Sequence, residues 1–334
     1  MAYFFGIDEP QNMRPLRGCS DDAIQMAKRF SNHQWNSPRY ECHVKTDKQL
    51  AGLANPVKAD DLRAAIDALF NPTRRLEVAL FYFAGHGAKG GTEGNKHGFY
   101  LMTSDATRPE HGVAMSDVLD AANRCVHIQE RIIVLDCCHS GHMGDLSVLD
   151  EEVTWLKEGV SVLAACRAEE IAVENTVQGG VFTRFILEAL DGGAADVLGR
   201  STLASIYAYV DLRLSLIQQR PVFKANVSRL VSLHACQPRI EETELRHGLV
   251  EFSHAHYHYP LDHSFEPDIA PTERKSPVDA DHVKVFRLFQ KMRSASLLEP
   301  VGGDHLYWAA YHEKACRLNS LGQLYWHASK IGKL

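Results

Sequence analysis

The sequence lacks an excess of positive charge. The 334-residue chain carries 36 Lys and Arg against 42 Asp and Glu, a formal net charge of −6. Because nucleic acids are bound through basic surfaces that neutralise phosphates, this balance argues against nucleic acid as a partner for the whole chain. The hydrophobic share of 45% and the charged share of 23% are ordinary for a protein that buries a sizeable core.

Long apolar runs are also missing. No stretch approaches the roughly 18 consecutive apolar residues that predict a membrane-spanning helix. The start, Met-Ala-Tyr-Phe-Phe-Gly-Ile-Asp, lacks the basic and apolar regions of a signal peptide. The eight cysteines are scattered and form no dense framework, which is typical of reduced thiols. These absences predict a cytoplasmic protein with no membrane partner.

Short apolar runs alternate with amphipathic helical patterns over the first two thirds of the chain. Strands are predicted at residues 3–7, 40–44, 78–84, 132–135, 160–165 and 231–233. Helices are predicted at about residues 20–31, 60–70, 182–190 and 202–218. Continuous apolar strands separated by such helices predict an α/β fold, with a mostly parallel sheet covered on both faces.

The pattern changes after about residue 238, which predicts a first domain at residues 1–238. Residues 241–280 contain four prolines (Pro260, Pro267, Pro271 and Pro277) and, between positions 254 and 263, four closely spaced histidines (His254, His256, His258 and His263). Prolines at this density oppose helices and central strands, so we interpret residues 239–280 as a linker or extended arm. The histidines could bind metal, but their mixed spacing fits a polar arm better. Residues 281–334 predict a small α+β module, with a helix, an aromatic hairpin and a final helix.

Two motifs follow predicted strands. The first is Ala84-Gly-His-Gly87, and the second is Asp136-Cys-Cys-His-Ser-Gly141. In parallel sheets, active sites lie beyond the carboxyl ends of the strands. A nucleophilic cysteine needs a neighbouring base, because a thiol with a pKa of about 8.5 is little ionised at neutral pH. His86 is therefore a candidate base, and the N–H groups of Gly87 and Cys138 are candidate oxyanion donors.

A zinc site is the alternative reading of the second motif. Cys137, Cys138, His139 and His142 lie close together in the sequence. Zinc motifs usually separate paired ligands by two or more residues, and adjacent cysteines on a strand point to opposite faces. Both arguments disfavour zinc.

The motifs resemble those of the caspase-homologous cysteine peptidases, peptidase family C14, and the metacaspase and bacterial branch more than the animal caspases. That branch carries Ser-Gly-His-Gly at one strand end and Asp-x-Cys-His-Ser-Gly at the other. Leu16-Arg-Gly-Cys-Ser-Asp-Asp-Ala23 resembles the family's Gly-Cys-x-Asn-Asp segment, and residues 180–190 resemble its Gly-x-Phe-Thr helix. The 52 residues from His86 to Cys138 are similar to the roughly 50 in caspases. The resemblance spans about residues 1–235.

The resemblance implies a caspase-like α/β/α sandwich with a mostly parallel six-stranded sheet. It places the nucleophile directly before His-Ser-Gly, at Cys138, and leaves Cys137 packed behind the strand end. An inactive homologue is the alternative, although both catalytic residue types are present.

The family's pocket for the residue before the scissile bond corresponds here to Cys19, Asp22 and Asp136. Two carboxylates in a partly desolvated pocket favour a cation, so we expect cleavage after Arg and, more weakly, Lys. One departure is Ala84, which replaces a family serine and loosens the choice between the two. Asp22 has an alternative role as an acidic residue at a helix N-terminus.

Many metacaspases need calcium. The comparable positions are Asp105, Asp117 and Asp145, whereas Ser116 stands where the family often has another Asp. Calcium prefers six to eight oxygen ligands, so we favour surface acids without metal and expect no cofactor in the chemistry itself.

Three functions remain open. The first is a single-chain cysteine endopeptidase, which could cleave itself after Lys157 or Arg167. The resemblance implies that such a peptidase is a bacterial effector, as some relatives are in antiphage defence. Its activity would be released when a small ligand or partner protein binds the C-terminal module, which resembles a winged helix. The second is a catalytically silent scaffold, and the third is a nucleic-acid-binding regulator.

Overall fold

The chain folds into two units. The computed structural model describes residues 1–33, 36–48, 55–91, 98–125, 127–139, 155–165, 180–217 and 219–334, with residues 138 and 139 described by their backbone. The first unit comprises residues 1–195 and 200–236, and the second comprises residues 196–199 and 237–334.

A mostly parallel sheet forms the centre of the first unit. Its strands and those beside it are β1 (Ala2–Gly6), β2 (Cys42–Thr46), β3 (Val78–Gly90), β4 (Gly98–Leu101), β5 (Val113–Ala114), β6 (Glu130–His139), β7 (Val160–Ala164), β8 (Arg200–Thr202), β9 (Val222–Asn226) and β10 (Ser232–Ala235). The sheet order is β2-β1-β3-β6-β7-β9, and only β9 runs antiparallel along this path. Strands β4 and β5 extend the sheet beyond β3. The predicted mostly parallel sheet is confirmed; among the described residues its main path has six strands, and β4 and β5 bring the sheet to eight.

Helices cover both faces of this sheet. They are α1 (Cys19–Ser31), α2 (Ala59–Phe70), α3 (Met115–Arg124), α4 (Val181–Glu188) and α5 (Leu203–Ser215). A 3-10 turn at Pro109–His111 precedes α3, and a π-helical turn at Ala189–Gly193 continues α4. Side chains alternate along β3, so Phe81 and Phe83 join the α2/α3 layer, whereas Leu80 and Tyr82 join the α1/α4/α5 layer.

The strand predicted at residues 231–233 does not close the sheet. Strand β10 pairs instead with β8 in a separate two-stranded ribbon. The sixth strand of the main sheet is β9, which pairs with β7 at the edge. Its residues are half-buried or exposed, so it lacks the continuous apolar run by which the inner strands were recognised.

The second unit is an α+β fold with its own core. Its elements are α6 (Glu242–Val250), β11 (His258–Pro260), α7 (Ala280–Ser294), β12 (Leu298–Val301), α8 (Leu306–Tyr311), β13 (Ala315–Leu318) and α9 (Ser320–Lys330). The three strands form an antiparallel sheet in the order β11-β13-β12. The predicted aromatic hairpin is the β12–β13 pair, with α8 inserted between its strands. Phe252, Phe286 and Phe289 are fully buried at the centre.

The segment at residues 239–280 differs from the linker or arm predicted for it. It contributes α6, whose Leu245 and Leu249 are buried, and β11, which pairs with β13. His263 is also buried, and its two ring nitrogens contact the Tyr311 carbonyl at 2.8 Å and the Lys275 N–H at 3.1 Å. The density of prolines predicted a linker, but Pro260 lies in the edge strand β11 and the other prolines lie in loops. In these places they interrupt no ladder of hydrogen bonds.

Across both units, none of the helices in the described residues is long and apolar enough to cross a membrane.

Candidate active site

The two motifs meet at the carboxyl edge of the main sheet. Strands β3 and β6 are parallel and paired in register from Val78 with Glu130 to Gly87 with His139. Within this ladder Ala84 pairs with Asp136, and His86 pairs with Cys138. Neighbouring strands lie about 4.8 Å apart, so the sheet itself brings the candidate base and nucleophile to adjacent backbone positions.

The pleat of β6 separates the two adjacent cysteines. Cys137 is 3% exposed and belongs to the α2/α3 layer, behind the strand end. Because side chains alternate along a strand, positions 136 and 138 belong to the opposite face. Position 138 therefore shares a face with Asp136, and position 137 does not.

The ring of His86 is buried and oriented by a main-chain contact. Its Nε2 lies 2.8 Å from the carbonyl oxygen of Arg14. A carbonyl only accepts hydrogen bonds, so this contact places the imidazole proton on Nε2. In the neutral ring, Nδ1 then carries the lone pair that can accept a proton. This tautomer suits a general base.

Gly87 follows His86 in extended backbone, and packing requires it to lack a side chain. A Cβ atom at this position would lie 2.2 Å from the Phe99 ring. Packing against Phe99 is therefore sufficient to explain a glycine here. The oxyanion role of the Gly87 and Cys138 N–H groups stays a prediction.

Two buried carboxylates lie on the same side of the sheet as His86. We define the acidic cluster as Asp22, Asp136, Gly180 and Thr183. Asp22 comes from the first turn of α1 and is 5% exposed, whereas Asp136 comes from β6 and is 3% exposed. The Gly180 N–H donates to Asp22 Oδ2 at 2.7 Å, and Thr183 Oγ1 donates to Asp136 Oδ2 at 2.7 Å.

The start of α4 binds both carboxylates at once. A Cβ atom on Gly180 would lie 2.3 Å from Asp136 Oδ2 and 3.1 Å from Asp22 Oδ2. Only glycine allows so close an approach of the backbone to both groups. Tyr82, on β3, extends the network through a 2.6 Å contact between its hydroxyl and that of Thr183.

Burial raises the pKa of Asp22 to about 7. The Gly180 N–H bond opposes this rise, and the negative charge of Asp136 adds to it. A carboxyl group with this pKa is partly protonated at neutral pH, and a bound cation would favour its ionised form. Burial, followed by the charges of Asp136 and Asp22, likewise raises the pKa of Tyr82 far above its ordinary value. The electrostatics of the acidic cluster therefore favour a cationic ligand.

Asp22 does more than begin a helix. Its neighbour Asp21 is exposed and pairs with Lys48, as a solvated N-terminal carboxylate does. Asp22 is instead buried against Gly180. Cys19, the third residue predicted for this pocket, is 6% exposed in the α1/α4/α5 layer, and its N–H donates to Asp8.

The profile of the caspase domain, peptidase family C14, matches residues 1–232. The chain belongs to this family. Metacaspase-1 of Coccidioides immitis (strain RS) is 28% identical over 167 residues, which make up 47% of this chain and 34% of that protein. The chain thus covers about a third of the length of this curated relative.

Two solved structures share the fold with a TM-score of 0.50 each. Protein GSU0716 from Geobacter sulfurreducens is 14% identical, and the match covers 71% of this chain and 97% of that one. The structure of pro-sf-caspase-1 is 12% identical, with coverages of 70% and 93%. At this identity the likeness shows the fold, and the caspase-like architecture expected from the motifs is confirmed.

The calcium positions are not brought together within the described part of the caspase domain. Asp105 Oδ1 accepts the Ala59 N–H at 3.0 Å and the Thr103 hydroxyl at 2.7 Å, so it binds the start of α2. Asp117 is exposed in the first turn of α3, and Asp145 lies outside the described residues. Among the residues described, no three His, Cys, Asp or Glu side chains are grouped to hold a metal ion. Calcium activation stays a prediction.

Sequence reasoning missed three parts of the site. The Arg14 carbonyl is a main-chain group, and no side-chain pattern reports it. Thr183 belongs to the Gly-x-Phe-Thr match, but its bond to Asp136 depends on how α4 packs. Tyr82 lies in a predicted apolar strand, and nothing in the sequence pairs its hydroxyl with Thr183.

Proposed function

We propose that this caspase domain is a cysteine endopeptidase that cleaves proteins after Arg and, less efficiently, after Lys. Cys138 is the nucleophile, and His86 takes its proton through Nδ1. The observation that carries the proposal is the direct pairing of positions 86 and 138 beside two buried carboxylates.

The thiol adds to the carbonyl carbon of the scissile bond and forms a tetrahedral oxyanion. His86 then passes the proton to the leaving amine, and water hydrolyses the resulting thioester with His86 as base. The Arg14 carbonyl supports the imidazolium that forms in each half-reaction, because its oxygen faces the Nε2 proton. The N–H groups of Gly87 and Cys138 are our candidates for stabilising the oxyanion.

The acidic cluster supplies the proposed specificity. A guanidinium group can be held bidentately by carboxylates, whereas a lysine ammonium offers a point charge. Asp22 and Asp136 would repel an acidic residue at this position, so cleavage after Asp is disfavoured. The methyl group of Ala84 lies at the position paired with Asp136 and adds no hydrogen bond. An Ala84→Ser variant should therefore increase the preference for Arg over Lys.

Fluorogenic peptides ending in Arg, Lys and Asp, with and without calcium, test the proposal. The wild-type chain should cleave the Arg peptide fastest, the Lys peptide more slowly and the Asp peptide not at all. Cys138→Ala should abolish turnover, whereas the matched control Cys137→Ala should keep it, because Cys137 lies in the other layer. Turnover that survives in Cys138→Ala would reject the nucleophile, and cleavage only after Asp would reject the role of the acidic cluster.

A catalytically silent caspase-like scaffold is the rival proposal. It predicts no cleavage of any of these peptides under any calcium condition. The buried imidazole with a defined tautomer favours the peptidase, since a scaffold has no need of a positioned base.

Self-cleavage after Lys157 would require a local rearrangement. The Lys157 N–H donates to Asn123 Oδ1 at 2.9 Å, and its carbonyl accepts the Val160 N–H at 3.1 Å. Arg167, the second position proposed for nicking, lies outside the described residues.

The second unit extends the proposal to regulation. Its main part, residues 237–334, lies beyond the matched caspase domain, and the unit has its own core, so we assign it the binding of an activating ligand or partner protein in a bacterial effector. Full activity of the purified chain without any addition would contradict this role. For an antiphage role, expression of the wild type should lower phage plating relative to Cys138→Ala, and equal plating would reject it.

A further inference from the structure

Another buried carboxylate, that of Asp47, lies just after the carboxyl end of β2, and the residue is 8% exposed. Its Oδ1 accepts the Asp8 N–H at 2.9 Å, and its Oδ2 accepts the Glu9 N–H at 2.8 Å. The hydroxyls of Ser20 and Ser104 contact the same carboxylate at 3.2 and 3.5 Å. These donors come from three separate parts of the chain.

Asp8, which Asp47 binds, holds the far end of the loop at residues 8–18. Its carboxylate accepts the N–H groups of Cys19 at 2.9 Å and Ser20 at 3.1 Å, at the start of α1. Its carbonyl accepts the Leu16 N–H at 2.7 Å. Asp47 therefore fixes where the loop begins, and Asp8 fixes where it ends.

This loop carries the Arg14 carbonyl that contacts His86 Nε2 at 2.8 Å. A main-chain carbonyl has no side chain of its own to orient it, so its position depends on what holds the loop. The loop is held at its two ends and by the Gln11 N–H, which donates to the Ser104 carbonyl at 3.3 Å. The same network sets the first turn of α1, which carries Asp22.

We infer that Asp47 is a positioning residue for the reaction: by anchoring the loop at residues 8–18, it holds the Arg14 carbonyl against the base. It touches neither substrate nor the reacting atoms. The inference rests on the proposed function, because it assigns a consequence to the orientation of His86. Misplacing a group by about 1 Å in such an arrangement can cost about 100-fold in rate.

An Asp47→Asn variant tests this. The Asp8 N–H donates to both oxygens of Asp47, at 2.9 and 3.0 Å. The amide keeps the size of the carboxylate, but in either orientation its NH₂ group replaces one of these two acceptors and the negative charge is lost, so the anchor at Asp8 is weakened. We expect kcat for an Arg peptide to fall about 10- to 100-fold, with KM changed less than about threefold. The pH for half-maximal alkylation of Cys138 by iodoacetamide, followed by mass spectrometry, should rise toward the value of about 8.5 for a free thiol.

The matched control is Asp61→Asn. Asp61 also accepts a backbone N–H, that of Lys58 at 3.0 Å, but it lies on α2 and binds no part of the loop. It should leave both kcat and the alkylation profile as in the wild type. Ser20→Ala, which removes a single donor to Asp47, gives a milder variant should Asp47→Asn fail to fold, and we expect a smaller change in the same direction.

Three outcomes are decisive. A lower kcat with a shifted alkylation profile supports the inference. An active wild type with Asp47→Asn and Ser20→Ala both matching Asp61→Asn overturns the inference alone. A wild type that cleaves no peptide overturns the proposed function, and with it this role for Asp47.

Discussion

Replacing Asp22 by Asn should make the free protein more stable at alkaline pH and a poorer peptidase. Asp22 is 5% exposed, and burial raises its pKa from the ordinary 3.8 to about 7. The folded chain therefore keeps the Asp22 proton between about pH 4 and 7, where the unfolded chain has released it. Because unfolding releases a proton in this window, the contribution of Asp22 to stability falls as pH rises through it.

The difference between a pKa of 3.8 and one of about 7 corresponds to about 4 kcal/mol. An Asn side chain keeps an oxygen for the Gly180 N–H but cannot ionise. The difference in free energy of unfolding, Asp22→Asn minus wild type, should therefore increase by up to about 4 kcal/mol from pH 4 to pH 8.

Urea denaturation at several pH values measures this difference. Asp21→Asn is the matched control, because it removes one negative charge from the same turn of α1 at an exposed position. In parallel, kcat/KM for an Arg peptide should fall in Asp22→Asn, since the cation loses a carboxylate partner. A stability difference between Asp22→Asn and the wild type that does not change with pH would refute the reasoning.

Three further changes test other buried groups. Burial, and then the nearby charges of His33 and two arginines, lowers the pKa of His234 to about 4. The free energy of unfolding should therefore fall by up to about 3 kcal/mol as pH drops from 6.5 to 4. Thermal unfolding of His234→Phe should lack this loss, and an equal loss in the variant would contradict the prediction. Tyr82→Phe removes the hydroxyl that contacts Thr183. It should lower the free energy of unfolding by about 1 kcal/mol in urea denaturation and raise KM for an Arg peptide. An unchanged KM would exclude Tyr82 from specificity. Arg131→Met leaves the carbonyls of Ala122, Ile128 and Glu158 without their buried guanidinium partner. This should lower the free energy of unfolding by about 3 kcal/mol or more. A loss below about 1 kcal/mol would show that water replaces the guanidinium group.

The inner strands were predictable because their apolar runs are continuous, as in the strands around Phe81 and Ile133. The edge strand β9 was not, since its half-exposed residues give no such signal. The prediction of a linker or arm at residues 239–280 was wrong for a related reason. Its histidines and prolines dominate the composition, while a few buried residues such as Leu245 and Phe252 decide its packing.

The family, the alternation of strands and helices, and the motifs that carry His86 and Cys138 can be inferred from the sequence, because they depend on local residue types and spacing. Which groups meet depends on how distant parts of the chain pack together. The pairing of β3 with β6 sets the two positions side by side, the packing of α4 brings Gly180 and Thr183 onto two carboxylates, and the loop at residues 8–18 delivers the Arg14 carbonyl. Such contacts join residues far apart in the chain, and the hydrogen-bonding groups involved are largely main-chain atoms, which every residue shares.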